Sequence, residues 1–415
     1  MIFDRKKRYG KAIISLSLVL ALLFIPGFAR ASSADAVDNP VFPAGKNPKH
    51  NVSYDDYARF IAGMAVERDP LAALQNRPVR LDYARFFDQN WKKLEERQFI
   101  PVCQWAEKEL GAAASSDNTV FYPCSGPGFA NAHTFFPQAN TYVLVALESL
   151  GKIPDFAAMN DEQFNFYFTE MKKSLVDLLN IHYFISAHMK AEFQELKGVL
   201  PVLLFTLARI NAQVLDVRYW VMKPDGTIQN FPAIGTTDLD SASIQGVKIT
   251  FATAGAQAGY PQTLYYFRLN LYNGSFDRNR HFLSFLKGLA PLTTFMKSAS
   301  YVMFAPLVSA ARQFALDESR YVIQEDSGIP VKDFDPALWD LRFYGVYKRP
   351  PIPMFSHHYQ EDLAAIYGGK NIKLLPFGFG YHFKPGEANL MFAEKKGSSG
   401  QCAPRQFCAR SREKR

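Results

Sequence analysis

The stretch Thr119–Gly151, TVFYPCSGPGFANAHTFFPQANTYVLVALESLG, constrains the fold of this chain more than any other. It begins with residues typical of a buried strand, continues through a turn rich in glycine and proline, and reaches a short helical pattern. A second apolar strand pattern then leads to Glu148. A strand, a helix and a second strand in this order predict a right-handed crossover between parallel neighbours. The stretch therefore predicts an α/β fold, with a candidate site at the turn.

The segments around this stretch extend the same pattern. Ser53 is a candidate N-cap, and a long helix is predicted from Asn160, which precedes Gln163 by three residues. The segment GVLPVLLFTLARI is apolar on nearly all sides, which predicts a deeply buried helix. Alternation in Gln213–Met222 and the turn Pro224-Asp225-Gly226 then predict a β-hairpin.

Helix and strand patterns alternate again in the last third of the chain. Ser298–Phe304 is predicted as a strand, and Tyr321–Gln324 as a short strand that ends in Glu325-Asp326-Ser327-Gly328. The body, residues 51–394, contains neither an internal repeat nor an obvious linker, so we expect one large domain. The predicted fold is α/β, a Rossmann-like doubly wound mixed sheet with N-terminal helical additions.

The first 31 residues have the composition of a signal peptide. Basic residues precede the apolar run Ala12–Phe24, and Ala29-Arg30-Ala31 fits the small-residue rule for cleavage. The run is short, because a membrane-spanning helix needs about 20 residues. We therefore expect cleavage after Ala31, export to the periplasm or the medium, and no transmembrane helix after cleavage. Retention of the segment as an N-terminal anchor is the alternative.

Two further segments are predicted to lie outside the folded body. Residues 32–50 carry three prolines without periodicity and are predicted to form a linker. Residues 395–415 consist largely of small and charged residues. Because such a segment cannot bury enough apolar surface to offset the entropy lost on ordering, we expect a disordered basic tail.

The net charge of +8 belongs mainly to the ends of the chain. Residues 1–31 hold six of the 47 Lys and Arg residues but one of the 39 Asp and Glu residues, which leaves +3 after cleavage. Residues 395–415 carry seven basic residues and one acid, so the body is slightly negative. Since the body lacks an excess of cations to neutralise phosphates, its charge excludes a nucleic-acid function based on bulk electrostatics.

Export would place the four cysteines in an oxidising compartment. Cys103 and Cys124 bracket a twenty-residue loop, whereas Cys402 and Cys408 lie close together in the tail. Four cysteines allow three pairings, and we expect the two local ones. None of the spacings fits a zinc knuckle.

The candidate ligand-binding residues lie at the predicted ends of strands: Ser125, Gly126, Gly128, Glu148 and Asp326. The two glycines permit positive φ and close approach of a ligand, and the N–H groups of the following helix would face the turn. In doubly wound sheets, ligands bind at the carboxyl ends of the strands, where both acids are expected. The alternative is a tight turn packed under aromatic side chains.

The same unit is similar to the nucleotide loop of S-adenosylmethionine-dependent methyltransferases. On that resemblance, Gly126 and Gly128 match loop glycines and Glu148 matches the acid that binds ribose. The sequence departs from the family where Tyr122 or Pro123 replaces an acid and Cys124 replaces the first glycine. Since the family's cofactor is not expected outside the cytoplasm, we leave the cofactor unassigned.

Five segments resemble a group of exported bacterial proteins that have no established activity. They are YPCSGPGFANAHTFFP, QTLYYF, KSASYVMF, QEDSGIP and LPFGFGYHFKPGEANLM. This resemblance extends over most of the body. It implies a shared fold and an exported location, and it carries no activity over to this chain.

Other constellations could serve as catalytic or metal sites. Ser125, His133 and an acid are the residue types of a hydrolase triad, although CSGPG is not the usual G-x-S-x-G turn. His188 and Glu192 lie one helical turn apart, and His357-His358 is a histidine pair. Two ligands do not complete a zinc site, so no metal is predicted.

Three functions remain open at this point. The first is an exported protein that binds a small molecule or an envelope component. The second is an extracytoplasmic hydrolase or transferase that uses Ser125–Gly128 together with Asp326. The third is a degenerate methyltransferase-like module retained for interactions. An open polar pocket above Gly126, as opposed to a pocket filled by aromatic side chains, would distinguish these hypotheses best.

Overall fold

The computed structural model describes residues 52–114, 118–181, 198–230, 243–253, 261–369 and 372–397. The predicted signal peptide, the linker, most of the tail, Cys402, Cys408, His188 and Glu192 lie outside the described residues. Among the residues described, we find no helix with the length and apolar character needed to cross a bilayer.

Helices precede, interrupt and follow the strands along the chain. The helices are α1 (Tyr54–Ile61), α2 (Leu71–Leu74), α3 (Pro78–Leu94), α4 (Ile100–Glu109), α5 (Phe129–Phe135), α6 (Asp161–Ile181), α7 (Leu200–Arg209), α8 (Asn273–Arg278), α9 (Arg280–Lys287), α10 (Ser309–Glu318) and α11 (Glu361–Gly369). The strands are β1 (Thr119–Pro123), β2 (Thr141–Ala146), β3 (Gln213–Met222), β4 (Ile228–Asn230), β5 (Ile244–Ala252), β6 (Gln262–Arg268), β7 (Leu292–Met296), β8 (Ser319–Gln324), β9 (Trp339–Gly345) and β10 (Asn389–Lys395).

The strands form one sheet in the order β4-β3-β5-β6-β2-β1-β7-β8-β10-β9. Strands β6, β2, β1, β7 and β8 are parallel neighbours. Antiparallel strands extend the sheet on both sides, with β5, β3 and β4 beyond β6 and with β10 between β8 and β9. Counted along the chain, the parallel core reads third, second, first, fourth, fifth, as in a doubly wound Rossmann sheet. The predicted α/β class and the single domain are confirmed.

Alternating side chains divide the apolar core between the two faces of the sheet. In β1, Val120 and Tyr122 pack into a cluster with residues of α1 to α7, and we call this side the first face. Phe121 packs into a separate cluster with residues of α8 to α11, on the second face. The predicted N-terminal helical additions therefore belong to the first face.

Local sequence signals account for two helix starts. Ser53 accepts the Asp56 N–H at 3.1 Å, and the Asp56 carboxylate accepts the Ser53 N–H at 3.2 Å. The same reciprocal bonds join Asn160 and Gln163 before α6. Each pair satisfies two N–H groups that a helix start would otherwise leave free. Both predicted caps are confirmed.

All ten residues of α7 are buried, as its apolar surface predicts. Arg209, at its end, is buried and donates from Nη1 to Asp88 Oδ1 at 2.6 Å. Its Nη2 donates to the backbone oxygen of Ala62. Since a buried guanidinium is costly without such partners, α7 and the N-terminal helices are joined by a specific polar contact as well as by apolar packing.

The prediction of a strand over Ser298–Phe304 is wrong. The strand is Leu292–Met296, whose five residues are all buried. Tyr301, Val302 and Phe304 are residue types that strands favour, but left-handed backbone at Ser298, Ser300 and Tyr301 is incompatible with an extended chain. The segment that looked like a strand interior therefore lies beyond the end of β7.

Candidate functional site

The connections change side at β1. Strand β1 pairs in parallel with β2 on one side and with β7 on the other. Helix α5, which follows β1, packs on the first face, whereas α10, which joins β7 to β8, packs on the second. The carboxyl ends of β1, β2, β7 and β8 therefore share one edge, as predicted, and we call it the carboxyl edge. In doubly wound sheets the crevice at such a switch point binds ligands.

The loop after β1, Cys124–Gly128, is the first loop of this edge. The Ser125 N–H donates to the backbone oxygen of Val145 at 3.1 Å, and the Ser125 hydroxyl lies 3.4 Å from the same oxygen. Gly126 adopts φ 49°, a left-handed conformation that glycine takes without strain. The polar atoms of Ser125 thus bind β2 within the fold.

The first loop is packed against an aromatic ring. Residues 125–128 are buried, and a Cβ on Gly128 would lie 2.7 Å from the backbone oxygen of Ser125 and 3.2 Å from the ring of Tyr122. The Tyr122 hydroxyl in turn donates to the backbone oxygen of Lys297 at 3.2 Å, which links the first loop to the loop after β7. Gly128 therefore serves close packing within the protein, which corresponds to the alternative of a tight turn under aromatic side chains.

Glu148 lies two residues beyond β2 and is held by β6. The Tyr266 hydroxyl donates to the backbone oxygen of Glu148 at 2.9 Å and lies 3.3 Å from its carboxylate. Burial raises the pKa of Glu148 above its ordinary value, although hydrogen bonds from the backbone and Tyr266 act in the opposite direction. The acid matched to a ribose ligand thus has a partner inside the fold.

The structure does not contain the predicted Cys103–Cys124 disulfide, because Cys124 has a free thiol. Cys103, on α4, packs against the cluster of the first face, whereas Cys124 packs against the cluster of the second. The twenty residues between Cys103 and Cys124 therefore lead from one face of the sheet to the other. Burial raises the pKa of Cys124 to about 12, so at neutral pH it is a small apolar side chain and a poor nucleophile.

The candidate triad is not assembled. His133 lies on α5 with its ring 5.6 Å from Phe129 and 6.2 Å from Tyr142, measured between ring centroids. Its Nε2 is buried without a hydrogen-bond partner, and burial lowers the pKa of His133 to about 4. The Ser125 hydroxyl faces a backbone carbonyl, so the histidine neither binds nor deprotonates it in this arrangement.

A different part of the edge concentrates strained backbone and polar contacts. We call Lys297–Tyr301, directly after β7, the second loop. Ser298, Ser300 and Tyr301 all have φ 55°. A few per cent of non-glycine residues adopt positive φ, so three of them in one short loop call for an explanation.

Side chains from neighbouring segments hold the backbone of the second loop. The Ser298 N–H donates to Glu325 Oε1 at 2.9 Å, and the Ala299 N–H donates to the Ser327 hydroxyl at 2.8 Å. The Ser300 N–H donates to the Tyr381 hydroxyl at 3.1 Å. Three consecutive N–H groups of the second loop thus each donate to a side-chain oxygen of another segment.

Two acids after β8 lie beneath the second loop. Asp326 accepts from the Tyr301 hydroxyl at 2.6 Å and from Asn389 Nδ2 at 2.7 Å, and its own N–H donates to Asn389 Oδ1 at 2.9 Å. Glu325 accepts from the Ser327 hydroxyl as well as from Ser298. Both acids are buried. The predicted edge loop after β8 therefore fixes the second loop in place.

Burial shifts two pKa values in this cluster toward neutrality. It raises the pKa of Glu325 to about 8, and the neighbouring Asp326 adds to the effect. It lowers the pKa of Lys297 to about 7, while Glu325 acts in the opposite direction. A buried acid and a buried amine with pKa values displaced in opposite directions are typical of functional sites.

Three buried polar atoms around the second loop have no hydrogen-bond partner among the described residues: Ser298 Oγ, Glu325 Oε2 and His382 Nε2. Glu325 also fits closely over Gly380, where a Cβ would lie 2.3 Å from its Cγ. A cavity of about 10 Å³ beside Asp326, with Gln360 and Asn389 in its lining, has room for about one water molecule.

An aromatic cluster covers the outer side of these acids. The Tyr301 ring stacks on His358 with centroids 4.8 Å apart and contacts Phe355 at 5.1 Å. Burial, and then the neighbouring His357, lower the pKa of His358 to about 4. Among the described residues, no three His, Cys, Asp or Glu side chains are grouped to hold a metal ion.

The edge therefore contains two separate groups of predicted residues. Ser125, Gly126, Gly128 and Glu148 lie at the ends of β1 and β2, whereas Asp326 lies beyond β8, with β7 between the groups.

Sequence reasoning missed Lys297, Ser298 and Glu325 as site residues. Their segments, KSASY and QED, each begin at or just after the last residue of a buried strand, and correct placement of β7 would have identified them. Comparison with protein-family models, with characterised proteins and with solved structures finds no match to this chain.

Proposed function

We propose that this chain is an exported binding protein whose ligand site lies at the second loop. One observation carries the proposal: three non-glycine residues, Ser298, Ser300 and Tyr301, adopt left-handed backbone beside the switch point. Each such residue costs on the order of 1 kcal/mol, and strain of this kind persists where surrounding contacts enforce it, often in ligand-binding loops. Here the enforcing contacts come from Glu325, Ser327 and Tyr381, as described above.

The state of the candidate nucleophiles opposes catalysis at the first loop. Burial raises the pKa of the Cys124 thiol to about 12. The Ser125 hydroxyl faces a backbone carbonyl, and His133 is surrounded by aromatic rings. Neither the thiol nor the hydroxyl therefore has a neighbouring base that would activate it as a nucleophile.

The chemistry around the second loop favours a small polar ligand. Ser298 Oγ, Glu325 Oε2 and His382 Nε2 are buried and lack partners among the described residues. Such atoms are costly unless a water or a ligand completes their hydrogen bonds. At neutral pH the raised pKa of Glu325 makes the carboxyl largely neutral, which favours a hydrogen-bonding ligand without a strong charge.

Mass spectrometry of the exported protein tests this function. Protein secreted or released from the periplasm of its native host should show a bound small molecule under native conditions and lose it on denaturation. Ser298→Gly keeps the left-handed backbone but removes the hydroxyl, so the adduct should decrease at least about tenfold. Thr134→Ala, which removes a hydroxyl bonded to Ala130 on α5, is the matched control and should retain it.

Two results would count against the proposal. One is recovery of intact Met1 in a soluble cytoplasmic fraction, since the export hypothesis requires cleavage after Ala31. The other is a wild-type protein that carries no small molecule and gains no thermal stability with extracts of its growth medium. In that case the second loop is a structural device that only fixes the ends of β7 and β8.

Sheet topology favours a second candidate, a methyltransferase-like nucleotide site at the first loop. The parallel order β6-β2-β1-β7-β8 is that of a doubly wound sheet, in which nucleotides bind at the switch point beside β1. Close packing of Tyr122 on Gly128 and the bond from Tyr266 to Glu148 oppose open nucleotide binding.

Calorimetry with S-adenosylhomocysteine separates the two candidates. The proposed function predicts no binding at about 1 mM ligand and a change in melting temperature below about 1 °C. A micromolar dissociation constant that Glu148→Ala weakens by at least about tenfold would replace the proposed function with the nucleotide site.

A further inference from the structure

The segment Lys348–His358 lies between β9 and α11 and supplies part of the aromatic cluster over the second loop. Its two ends are held together. The rings of Tyr347 and Tyr359 stack with centroids 5.1 Å apart, and the Gln360 N–H donates to the Tyr347 hydroxyl at 2.8 Å. A short segment with joined ends is a compact surface loop, of a kind that frequently carries function. We call Lys348–His358 the outer loop.

The outer loop packs on the body through a small apolar cluster of its own. Phe355 is 1% exposed and contacts Tyr301 and Tyr381, with ring centroids 5.1 and 5.4 Å away. These three residues form a cluster separate from the cores on the two faces of the sheet. The Phe355 N–H donates to the Ile352 oxygen within the loop at 2.9 Å. The outer loop can therefore lift without opening either core.

The second-loop site is closed in this arrangement. The cavity beside Asp326 has room for about one water molecule, and the Phe355 ring covers Tyr301 and Tyr381. Two tyrosine rings that hold a third ring are a surface suited to a flat apolar group. A ligand with one apolar face would therefore compete with Phe355 for the same surface.

The unpartnered polar atoms around the second loop include both donors and acceptors. Burial lowers the pKa of His382, and its Nδ1 donates to the backbone oxygen of Arg349, so the neutral ring offers Nε2 as an acceptor. Glu325, whose pKa burial raises to about 8, accepts at Oε1 from Ser298 and Ser327. Its proton therefore lies on Oε2, which is a donor. Neighbouring hydroxyl groups of one ligand, which both donate and accept, match this set.

On the basis of the function proposed above, we propose that the ligand is a neutral pyranose sugar and that Phe355 is its internal competitor. The C–H groups on one face of a pyranose ring pack on aromatic rings, while its hydroxyl groups form hydrogen bonds at the edge. The sugar displaces Phe355 from the two tyrosines, and the outer loop lifts as a lid. Its hydroxyls then bond Ser298, Glu325 and His382. Because the closed state must first be left, the apparent affinity is reduced by the fraction of open molecules.

Calorimetry of the full chain with D-glucose, D-galactose and D-mannose tests the competitor. Phe355→Ala removes the competing ring, so the variant should bind at least one of these sugars at least about tenfold more tightly than the wild type. Phe304→Ala is the matched control, because Phe304 contacts Tyr301 at 5.3 Å from outside the outer loop. Its affinity should equal that of the wild type within about threefold. Glycerol, a polyol without a ring, should bind to none of the three proteins at about 10 mM.

Chymotrypsin provides a second test, in the wild-type protein. The protease cleaves after accessible aromatic residues, and Phe355 is buried while the outer loop is closed. Cleavage between Phe355 and Ser356 should be slow without ligand and at least about threefold faster with a saturating sugar, because the sugar displaces the ring. Glycerol should leave the rate unchanged. Mass spectrometry of the two fragments identifies the cleaved bond.

Three results would overturn the proposal. If Phe355→Ala binds the sugars no more tightly than the wild type, Phe355 does not compete with them. If a sugar slows cleavage after Phe355, the outer loop closes over its ligand with the ring in place. Binding of no sugar by either protein at about 10 mM excludes the ligand class. In all three cases the function proposed above still stands if the exported protein carries a small molecule that Ser298→Gly loses, and it fails if the protein carries none.

Discussion

The two loops on either side of the switch point close the carboxyl edge by different means. The first loop, Cys124–Gly128, is closed by shape, because Gly128 fits against the Tyr122 ring and against the Ser125 backbone. The second loop, Lys297–Tyr301, is closed by polar contacts, because side chains of Glu325, Ser327 and Tyr381 bind its N–H groups. A loop held by apolar packing needs only side chains of complementary shape. A loop held by hydrogen bonds, such as the second loop, also requires that a group able to ionise, here Glu325, is buried.

This difference indicates where the protein can respond to its surroundings. A loop held by close packing has one preferred arrangement, and its stability depends little on pH. A loop held by a buried acid depends on the protonation state of that acid and on molecules that complete its hydrogen bonds. The resemblance to nucleotide-binding loops directs attention to the first loop, whereas the proposed ligand site lies at the second loop.

The largest expected effect is at Gly380, under the second loop. Gly380→Ala would place a Cβ 2.3 Å from Glu325 Cγ at a residue with φ 63°, so overpacking and backbone strain add together. We expect a loss of about 4 kcal/mol in the free energy of unfolding, measured by urea denaturation. Gly386→Ala is the control, since Gly386 also has positive φ but has no atom within 4 Å of its Cβ position. Its expected loss is about 1 kcal/mol, and equal losses would remove the special role of Glu325.

Glu325→Gln should change the pH dependence of stability. The folded-state pKa of Glu325 is raised to about 8 from 4.5, so its contribution is present below pH 4.5 and is lost as pH rises through 8. The glutamine variant should therefore lose about 4 kcal/mol less than the wild type between pH 5 and pH 9. Parallel curves for the two proteins over this range would show that the carboxyl does not hold a raised pKa.

Lys297→Met is the complementary measurement, with the opposite sign. The pKa of Lys297 is lowered to about 7 from 10.5, so its contribution is present above pH 10.5 and is lost as pH falls through 7. The methionine variant should lose about 4 kcal/mol less than the wild type between pH 10 and pH 6. A larger loss in the variant would mean that the amine stays charged in the fold.

A smaller effect is expected at the first loop, where packing alone is altered. Gly128→Ala should cost about 2 kcal/mol, because its Cβ would lie 2.7 Å from the Ser125 oxygen while φ stays at an ordinary −71°. The loss should be the same at pH 5 and pH 9, which is the contrast with Glu325. Gly274→Ala, in helix α8 with no atom within 4 Å, should be neutral or slightly stabilising.

The smallest effect is expected at Glu148. Glu148→Ala removes one carboxylate contact with Tyr266 and should cost less than about 1 kcal/mol in thermal unfolding. Tyr266→Phe is the matched variant and should cost more, since the same hydroxyl also bonds the backbone oxygen of Glu148 at 2.9 Å. A variant at Glu148 that fails to fold would instead make this acid a structural anchor of the edge.

Local patterns in the sequence predict much of the fold. The caps at Ser53 and Asn160 and the buried helix α7 each depend on residues within one segment. The parallel arrangement of β1 and β2 follows from their crossover helix. The misplaced strand after Pro291 shows the limit, because aromatic and β-branched residues at Tyr301–Phe304 satisfy strand propensity while tertiary contacts impose left-handed backbone.

The candidate site could be predicted only in part. Asp326 follows a buried strand, and that position alone placed it at the carboxyl edge. The shifted pKa values of Lys297 and Glu325 depend on burial by segments far away in sequence, including Gly380. The predicted Cys103–Cys124 disulfide was wrong for a similar reason, because a short separation in sequence does not report that these two residues face opposite sides of the sheet.

The buried guanidinium of Arg209 has a consequence for the order in which the chain can fold. It bonds Asp88, 121 residues earlier, and the Ala62 carbonyl, 147 residues earlier. A ribosome adds residues at about 5 to 20 per second, so the N-terminal helices wait several seconds before their partner exists. During that interval their apolar faces have no sheet to cover them, and contacts of such long range form slowly. The early helices therefore cannot complete these polar contacts until the chain has been made as far as Arg209.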